Sequence, residues 1–355
     1  MRLALLTLLG ACSSPAESPN ASRAEVVRAL AEQVAQGHYA EFALKAAVMH
    51  ELTTALCDHP DAGTFAAAQA GWWAAKAPWA RAEVIQFGPV VEYPERLGPK
   101  IDDWPVNEEA VEALIAGEAA LDVASFGLMG SATRGLPVVE HLLWPDDADA
   151  LAALLATPRR CEALVGASGD VAISAERLVT VWREDWMLRV GQPSVDDGDA
   201  YDTVQDALDE WVNRMAFTAE NIRGTKLGAP VGDKTGGEPQ PDLLQSRPSG
   251  RSLTDARDAL AGVQDLWTGG AAESPLGVRD LLRDDPVLTA QLDALFETTD
   301  ARLAELPEPL EDTILLQPEL VARAQDALLA LQVAVQVDLA QQLSVTITFN
   351  DNDGD

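Results

Sequence analysis

The stretch from Thr133 to Trp144 reads Thr-Arg-Gly-Leu-Pro-Val-Val-Glu-His-Leu-Leu-Trp. Gly135 permits a sharp backbone turn, and Pro137 suits the first position of a helix, where its missing N–H is not needed. Glu140 is then expected in the first helical turn, where the helix dipole favours a negative charge. Because Pro145 stops helical structure, the sequence predicts a helix of about two turns that carries one carboxylate.

The carboxylate of Glu140 has two interpretations. Its neighbours in sequence are apolar, and a carboxylate buried among them is costly unless it meets a cation, a proton or hydrogen-bond donors. If Glu140 is a functional residue, a bound ligand supplies the partner that its buried carboxylate needs. The alternative is a side chain that faces water and is stabilised by the helix dipole alone. The stretch by itself leaves both interpretations open.

The stretch resembles the signature of the imelysin-like family, bacterial envelope proteins whose motif is Gly-x-His-x-x-Glu before an apolar run. Gly135 and Glu140 match this motif, whereas Pro137 stands where the motif has histidine. The form Gly-Leu-Pro-x-x-Glu resembles a lipoprotein branch of the family. The resemblance implies an all-α fold of two helical-bundle lobes with internal pseudo-symmetry and a site near the lobe interface.

Other segments extend the resemblance over most of the chain. They are Trp72, Trp79, 87–89, 104–105, 159–161, 226–228, 249–253 and 349–355. Gly88, Trp104, Gly135 and Pro137 are therefore expected to be structural residues of the family pattern. Glu83 and Asp102 lie near the resembling segments, and together with Glu140 they are the candidate metal-binding or ligand-binding residues.

The missing histidine affects the expected chemistry. In the family, histidine and glutamate one helical turn apart are proposed metal ligands, and Pro137 cannot replace the histidine. His141 is no substitute, because adjacent helical residues point about 100° apart. His38 and Glu41 could share a helix face as a metal site, but a solvated face is the simpler interpretation.

Apolar residues at helical spacing dominate the chain. The pattern predicts one long helix over 21–57 and a second over 65–87 that Pro78 divides or kinks. A loop is expected from Gly224 to about Ser252, and 345–349 is the one clearly strand-like run. We place the boundary between an N-terminal lobe, 21–190, and a C-terminal lobe, 191–355, at the Gly-, Pro- and Asp-rich segment after residue 190.

Composition restricts the classes of partner. The chain has 355 residues and a formal net charge of −32, with 57 acidic and 25 basic residues. Nucleic-acid binding requires a basic surface, so this charge argues strongly against it. It is compatible with attraction of cations, although a solvated acidic surface explains it equally well.

The N-terminus predicts secretion and lipid attachment. Residues 1–11 have a basic start, an apolar run and small residues, as in a signal peptide. Leu-Gly-Ala-Cys at 9–12 resembles the bacterial lipobox, so Cys12 is the expected lipidated residue and 12–20 the tether. Ser13 resembles the sorting pattern for the outer membrane. We therefore expect a periplasm-facing lipoprotein of the bacterial outer membrane.

Two further features are candidates for covalent or ionic stabilisation. Cys57 and Cys161 are either a disulfide or two reduced thiols, and an oxidising periplasm favours the disulfide. The C-terminal segment has two interpretations. It is either a site for a hard cation, with oxygen ligands from Asn350, Asp351 and Asp353, or a solvated acidic tail.

By resemblance, the chain is expected to bind metal for uptake or handling, with iron favoured and zinc, copper or calcium as alternatives. A second hypothesis is a metallopeptidase of the imelysin type, which the missing histidine weakens. A third is a non-catalytic module that binds an envelope transporter or receptor. The zincin pattern His-Glu-x-x-His, the Gly-x-Ser-x-Gly elbow and the phosphate-binding loop are all absent from the sequence.

Overall fold

The computed structural model describes residues 21–145, 149–193 and 200–348. It is 74% helical and has no strand in these ranges, which confirms the all-α class. The α-helices are α1 (Arg23–Ala29), α2 (Gln36–Asp58), α3 (Ala62–Arg81), α4 (Gly98–Ile101), α5 (Glu108–Ala116), α6 (Val123–Phe126), α7 (Leu136–Leu143), α8 (Ala150–Leu155), α9 (Pro158–Val181), α10 (Met187–Gly191), α11 (Val204–Asn221), α12 (Ala229–Val231), α13 (Ser252–Thr268), α14 (Pro286–Ala304), α15 (Leu310–Leu316), α16 (Pro318–Val333) and α17 (Ala340–Leu343). π-helical segments cover Leu30–Ala35, Trp182–Trp186, Ile222–Gly228 and Ala334–Leu339, and 3-10 turns cover Ala82–Val84, Gly88–Val90, Ser131–Thr133, Pro241–Leu243 and Val278–Leu282.

Polar side chains fix where several helices begin. The backbone N–H of Ser22 donates to Glu25 at 2.8 Å, and the N–H of Glu25 donates to the Ser22 hydroxyl at 3.3 Å. Asn107 accepts from the N–H of Ala110 at 3.0 Å at the start of α5. These caps satisfy backbone donors that no helical carbonyl can reach, so the local sequence sets these helix starts.

Pro78 does not divide the second long helix, so the expected division is wrong, and a kink there stays a prediction. α3 passes through Pro78 and ends at Arg81, and a 3-10 turn over Ala82–Val84 follows. A proline removes one N–H and disturbs one turn, and here the helix has only three residues left to form beyond it. The helix is therefore shorter than the predicted 65–87, and Glu83 lies in the turn.

The segment from Gly224 is helical where a loop was expected. The π-helical segment Ile222–Gly228 continues α11, and α12 follows it directly. Lys226 and Leu227 are buried in this segment. Their burial outweighs the cost of about 1 kcal/mol that a glycine imposes on a helix.

The strand-like run near the end pairs with no strand in the described part of the chain. Instead, the N–H of Thr346 donates to the Asp209 carboxylate at 3.0 Å, and the Asn213 amide donates to the carbonyl oxygen of Thr346 at 2.9 Å. Both side chains belong to α11. They satisfy the backbone of the extended segment, so its polar groups need no neighbouring strand.

One continuous apolar core holds the described helices together, and it includes residues on both sides of residue 190. α13 lies directly against α3. At this contact, a Cβ on Gly262 would lie 2.0 Å from the carbonyl oxygen of Arg81, so glycine is required for the close approach. Because the core crosses the predicted boundary, the division into two lobes and their pseudo-symmetry stay predictions.

The segment Pro318–Leu343 is long and apolar enough to cross a membrane by length and composition alone. It packs against α11 and α14, and 39% of its most apolar 18-residue stretch is buried inside the protein. Core helices of globular proteins pass the same test, so the segment carries no argument for a membrane span.

Cys57, near the end of α2, and Cys161, in α9, are joined by a disulfide. Their Cα atoms are 5.6 Å apart, a normal separation for a bridged pair. Of the two states that the sequence leaves open, the structure has the bridged one. The bond fastens the first long helix to a helix that follows the signature.

Gly135 sets the start of the signature helix α7. Its φ of 84° and ψ of −169° fall in a region open essentially to glycine. A Cβ at this position would lie 2.5 Å from the carbonyl oxygen of Ile101. The indole N–H of Trp72 donates to the carbonyl oxygen of Leu136 at 2.9 Å, which fixes the first residue of the helix.

We expect Gly135→Ala to lower the free energy of unfolding by about 2–3 kcal/mol, because alanine must adopt an unfavourable φ or displace the Ile101 backbone. Urea denaturation measures the loss. Gly130→Ala is the matched control: Gly130 has a φ of −65°, and no atom lies within 4 Å of a Cβ built there. Equal losses in the two variants would show that the steric explanation for Gly135 is wrong.

Candidate functional site

A cavity of about 300 Å³ is lined by residues from both sides of the predicted lobe boundary. Three indoles, Trp72, Trp79 and Trp104, form part of its wall. The segments that follow residue 190 contribute polar side chains, Asn221, Gln245 and Ser246. The candidate oxygen donors Glu83, Asp102 and Glu140 all line this one cavity.

Glu140 is the fifth residue of α7, because the helix begins at Leu136 and not at Pro137. It therefore lies beyond the first helical turn, where the helix dipole acts most strongly. Its side chain is buried, with 5% of the residue exposed, so it does not face water. The backbone N–H of Ser249 donates to its Oε1 at 3.1 Å across the predicted boundary.

Burial raises the pKa of Glu140 from its ordinary 4.5 to about 7. Hydrogen bonds from Ser249 and the nearby ammonium group of Lys76 act in the opposite direction but only partly offset the burial. The carboxyl therefore exchanges its proton near neutral pH. In its protonated form this carboxyl group is neutral, and in its ionised form it can bind a cation.

The raised pKa of Glu140 predicts a pH-dependent stability. Between pH 4.5 and 7 the folded protein holds this proton and the unfolded chain does not, so stability falls as pH rises through that window. Glutamine cannot ionise, so we expect Glu140→Gln to gain about 3 kcal/mol relative to wild type between pH 4.5 and pH 8. Urea denaturation at both pH values measures this difference. A difference that stays constant with pH would contradict burial of an ionisable Glu140.

Asp102 is held by two side chains of α3. The indole N–H of Trp79 donates to its Oδ2 at 2.8 Å, and the ammonium group of Lys76 forms a very short contact with the same oxygen. Burial alone would lower the pKa of Lys76, but the carboxylates of Asp102 and Asp255 outweigh it and raise the pKa above its ordinary value. Lys76 is therefore a permanent cation in the cavity wall.

Glu83 forms an ion pair across the predicted boundary. The ammonium group of Lys226 donates to its Oε1 at 2.9 Å and to the Gln245 side-chain oxygen at 2.7 Å. Burial raises the pKa of Glu83, and the charges of Lys226 and Lys76 only partly counteract this. The pair holds the turn after α3 against the π-helical segment that contains Lys226.

A second layer of charges supports the wall behind Lys76. Asp255 accepts a hydrogen bond from Ser246 at 2.5 Å and pairs closely with Arg251. Arg251 also donates to Asp258 at 2.6 Å, and its guanidinium lies over the Trp73 ring at 5.3 Å from the centroid. Since Arg251 and Asp255 are both about 1% exposed, this network holds a rigid arrangement of paired charges.

The remaining structural candidates fall in two places. Pro137 and Trp104 line the cavity, and Gly135 orients the helix that carries Glu140. Gly88 lies elsewhere: its φ is 62°, and a Cβ there would lie 2.8 Å from the Trp186 ring. Gly88 therefore has a packing role outside the cavity.

The histidines do not join the site. Nε2 of His141 lies 2.9 Å from Glu112, and Nε2 of His38 lies 3.2 Å from Asp265. His38 is buried and Glu41 is exposed, so the interpretation of a solvated face is wrong for His38 and agrees with Glu41. Cys12, Asn350, Asp351 and Asp353 lie outside the described residues.

The described residues do not form a complete metal centre. They contain no group of three or more His, Cys, Asp or Glu side chains placed to hold a metal ion. The reason is visible in the cavity, where Lys76 and Lys226 already pair with Asp102 and Glu83. A metal bound here needs further ligands from water or from a molecule that accompanies it.

The fold and the cavity together define an all-helical protein with a buried carboxylate on a short signature helix. The chain belongs to the imelysin family: the family model described as Imelysin, peptidase M75, matches residues 35–337. Of the curated proteins, Iron-regulated protein A from Synechococcus elongatus is 26% identical over 323 residues, which cover 88% of this chain and 82% of that protein.

Two solved structures share the fold with a TM-score of 0.75 each. One is a protein described as an iron-regulated protein A precursor from Parabacteroides distasonis, 20% identical, with 93% of this chain and 97% of that chain covered. The other is an imelysin-like protein from Psychrobacter arcticum, 19% identical, with 92% of this chain and 98% of that chain covered. At these identities the likeness establishes the fold alone.

Proposed function

We propose that this protein binds an iron-containing cargo in the cavity, as part of iron uptake or handling in the bacterial cell envelope. Membership of the imelysin family and the likeness to a relative named Iron-regulated protein A support this role. Its action is binding rather than turnover. Zinc, copper and calcium are the alternative cargoes.

The observation that carries the proposal is the charge on the cavity wall. Asp103, which follows Asp102 in the chain, also lines the cavity. Glu83 and Asp102 each have an ammonium partner, whereas Glu140 and Asp103 form no ion pair with any described side chain. Two carboxyl groups that form no ion pair with a described side chain therefore line the same cavity. Carboxylate and amide oxygens are suitable ligands for hard metal ions.

The proposed location follows from the N-terminus. Lipid on Cys12 would attach the protein to the outer membrane on its periplasmic side, with residues 12–20 as the tether. Contact with the membrane is then through the lipid. An envelope receptor or transporter is the proposed partner for delivery or release of the cargo.

A metallopeptidase is the alternative that the family name suggests. It requires a metal with an open coordination position and a base near the substrate. Pro137 in place of the motif histidine removes a proposed metal ligand and gives this alternative less support than binding. Peptide cleavage that is lost with a chelator and with Glu140→Gln would establish it.

Metal titration by calorimetry tests the proposal. We expect Fe²⁺ or Fe³⁺ to bind near 1:1, and Glu140→Ala to weaken binding by about tenfold or more, the effect of losing a charged ligand. The free energy of unfolding at pH 7 should change little, because relief of the burial penalty on the ionised carboxyl offsets the packing contacts that alanine loses. Asp58→Asn, an exposed residue outside the cavity, is the control. Unchanged binding in a destabilised Glu140→Ala would overturn the assignment of the site.

A further inference from the structure

We propose that the metal enters this cavity as a complex with a small oxyanion, such as a carboxylate chelator, and that Lys76 binds the oxyanion. The proposal rests on the proposed function and names the chemical form of its cargo. Glu140 and Asp103 then face the metal side of the complex. Lys76 faces the side that carries the negative oxygen atoms.

The hydrogen-bonding capacity of Lys76 is the first support. An ammonium group has three N–H donors. Among the described residues, Lys76 donates to Asp102 alone, and Asp255 is 4.0 Å away. Lys226, in comparison, donates to both Glu83 and Gln245. Lys76 is only 5% exposed and lines the cavity, so N–H groups beyond the one that binds Asp102 are available to a ligand there.

The ligand count is the second support. Hard cations take about six or more oxygen ligands. The described side chains gather no group of three acidic, histidine or cysteine ligands, so a metal ion in the cavity brings most of its ligands with it. The volume of about 300 Å³ agrees, because one water molecule occupies only about 30 Å³.

The charge distribution is the third support. A bare divalent or trivalent ion would lie near the fixed positive charge of Lys76, which repels it. An oxyanion ligand removes this conflict, since it lowers the net charge of the complex and accepts hydrogen bonds from the ammonium group. One bound complex then provides an oxyanion for Lys76 and a metal ion for Glu140.

Calorimetry with two probes tests this inference: ferric citrate, and Fe²⁺ in a buffer that does not bind metals. We expect Lys76→Met to weaken ferric citrate binding by about tenfold or more and to leave Fe²⁺ binding unchanged or stronger. If Lys76 has only a structural role, Lys76→Met should lower the affinity for both probes by the same factor. Lys76→Arg keeps the charge and should retain most of the affinity for ferric citrate. Lys234→Met, an exposed lysine outside the cavity, is the control.

The outcomes separate this inference from the proposed function. Tighter binding of ferric citrate than of Fe²⁺ by the unaltered protein supports it, even if Lys76→Met does not fold. Fe²⁺ binding as tight as ferric citrate binding overturns the inference and leaves the proposed function intact. No binding of iron in either form overturns both.

Discussion

Replacement of Arg134 by methionine will lower the free energy of unfolding by about 3–5 kcal/mol, the usual result of leaving one member of a buried ion pair alone. Arg134 precedes the signature glycine and donates to both carboxylate oxygens of Asp170, at 2.9 and 2.6 Å. It also donates to the carbonyl oxygen of Gly127 at 3.1 Å. Arg134 is 5% and Asp170 is 3% exposed, so water cannot replace the lost partner.

The loss of stability in Arg134→Met should also depend on pH. Burial raises the pKa of Asp170, and Arg134 now counteracts that effect. Without Arg134 the folded-state pKa rises further above the unfolded value of 3.8, so Asp170 takes up a proton at low pH. Since a raised carboxyl pKa favours the folded state most at low pH, the loss in Arg134→Met should be smaller at pH 5 than at pH 8.

Urea denaturation at both pH values measures this result. Arg302→Met is the control, because Arg302 forms an exposed pair with Glu305 and should change stability by about 0.5 kcal/mol or less. The double variant Arg134→Met/Asp170→Leu should recover much of the loss, since it removes the unpaired buried charge. A single variant as stable as the Arg302 control would rule out a large contribution from the pair.

Loss of the disulfide between Cys57 and Cys161 will cost about 5 kcal/mol in the chain-entropy model. The two cysteines are 104 residues apart, and a bond that closes so long a loop removes much freedom from the unfolded chain. The closed loop contains Lys76, Glu83 and Asp102 together with Glu140. The bridge therefore secures the segment that supplies most of the charged cavity wall.

Urea denaturation of Cys57→Ala/Cys161→Ala with and without a reducing agent measures this effect. Reduction should destabilise the wild-type protein to about the level of the double variant, and it should leave the double variant unchanged. Peptide mapping without reduction should recover the two cysteines in one linked fragment. Two separate fragments, with no effect of reduction on stability, would show that the cysteines are thiols.

Local sequence patterns predicted the class of the fold and much of its detail. The helical spacing of apolar residues gave the long first helix and the short α7, and polar caps such as Ser22 agree with it. Errors arose where burial decides the structure. Gly224 does not break its helix, because the neighbouring Lys226 and Leu227 are buried.

The site was only partly visible in the sequence. Family resemblance selected Glu83, Asp102 and Glu140, and the structure brings all three to one cavity. The cations that pair with two of them were missed, because Lys76 and Lys226 carry no motif of their own. The weak signal for Lys226 was that 226–228 resembles the lipoprotein branch of the family.

The sequence by itself determined most of the long helices and the place of Glu140 in an apolar one, because helix formation depends mainly on residues within a few positions of each other. Only the tertiary structure decided what surrounds that carboxylate. Ser249, 109 residues further along the chain, supplies its hydrogen bond, and burial raises its pKa to about 7. Exclusion of water and the distances between charges depend on the whole packed chain, so no local pattern contains them.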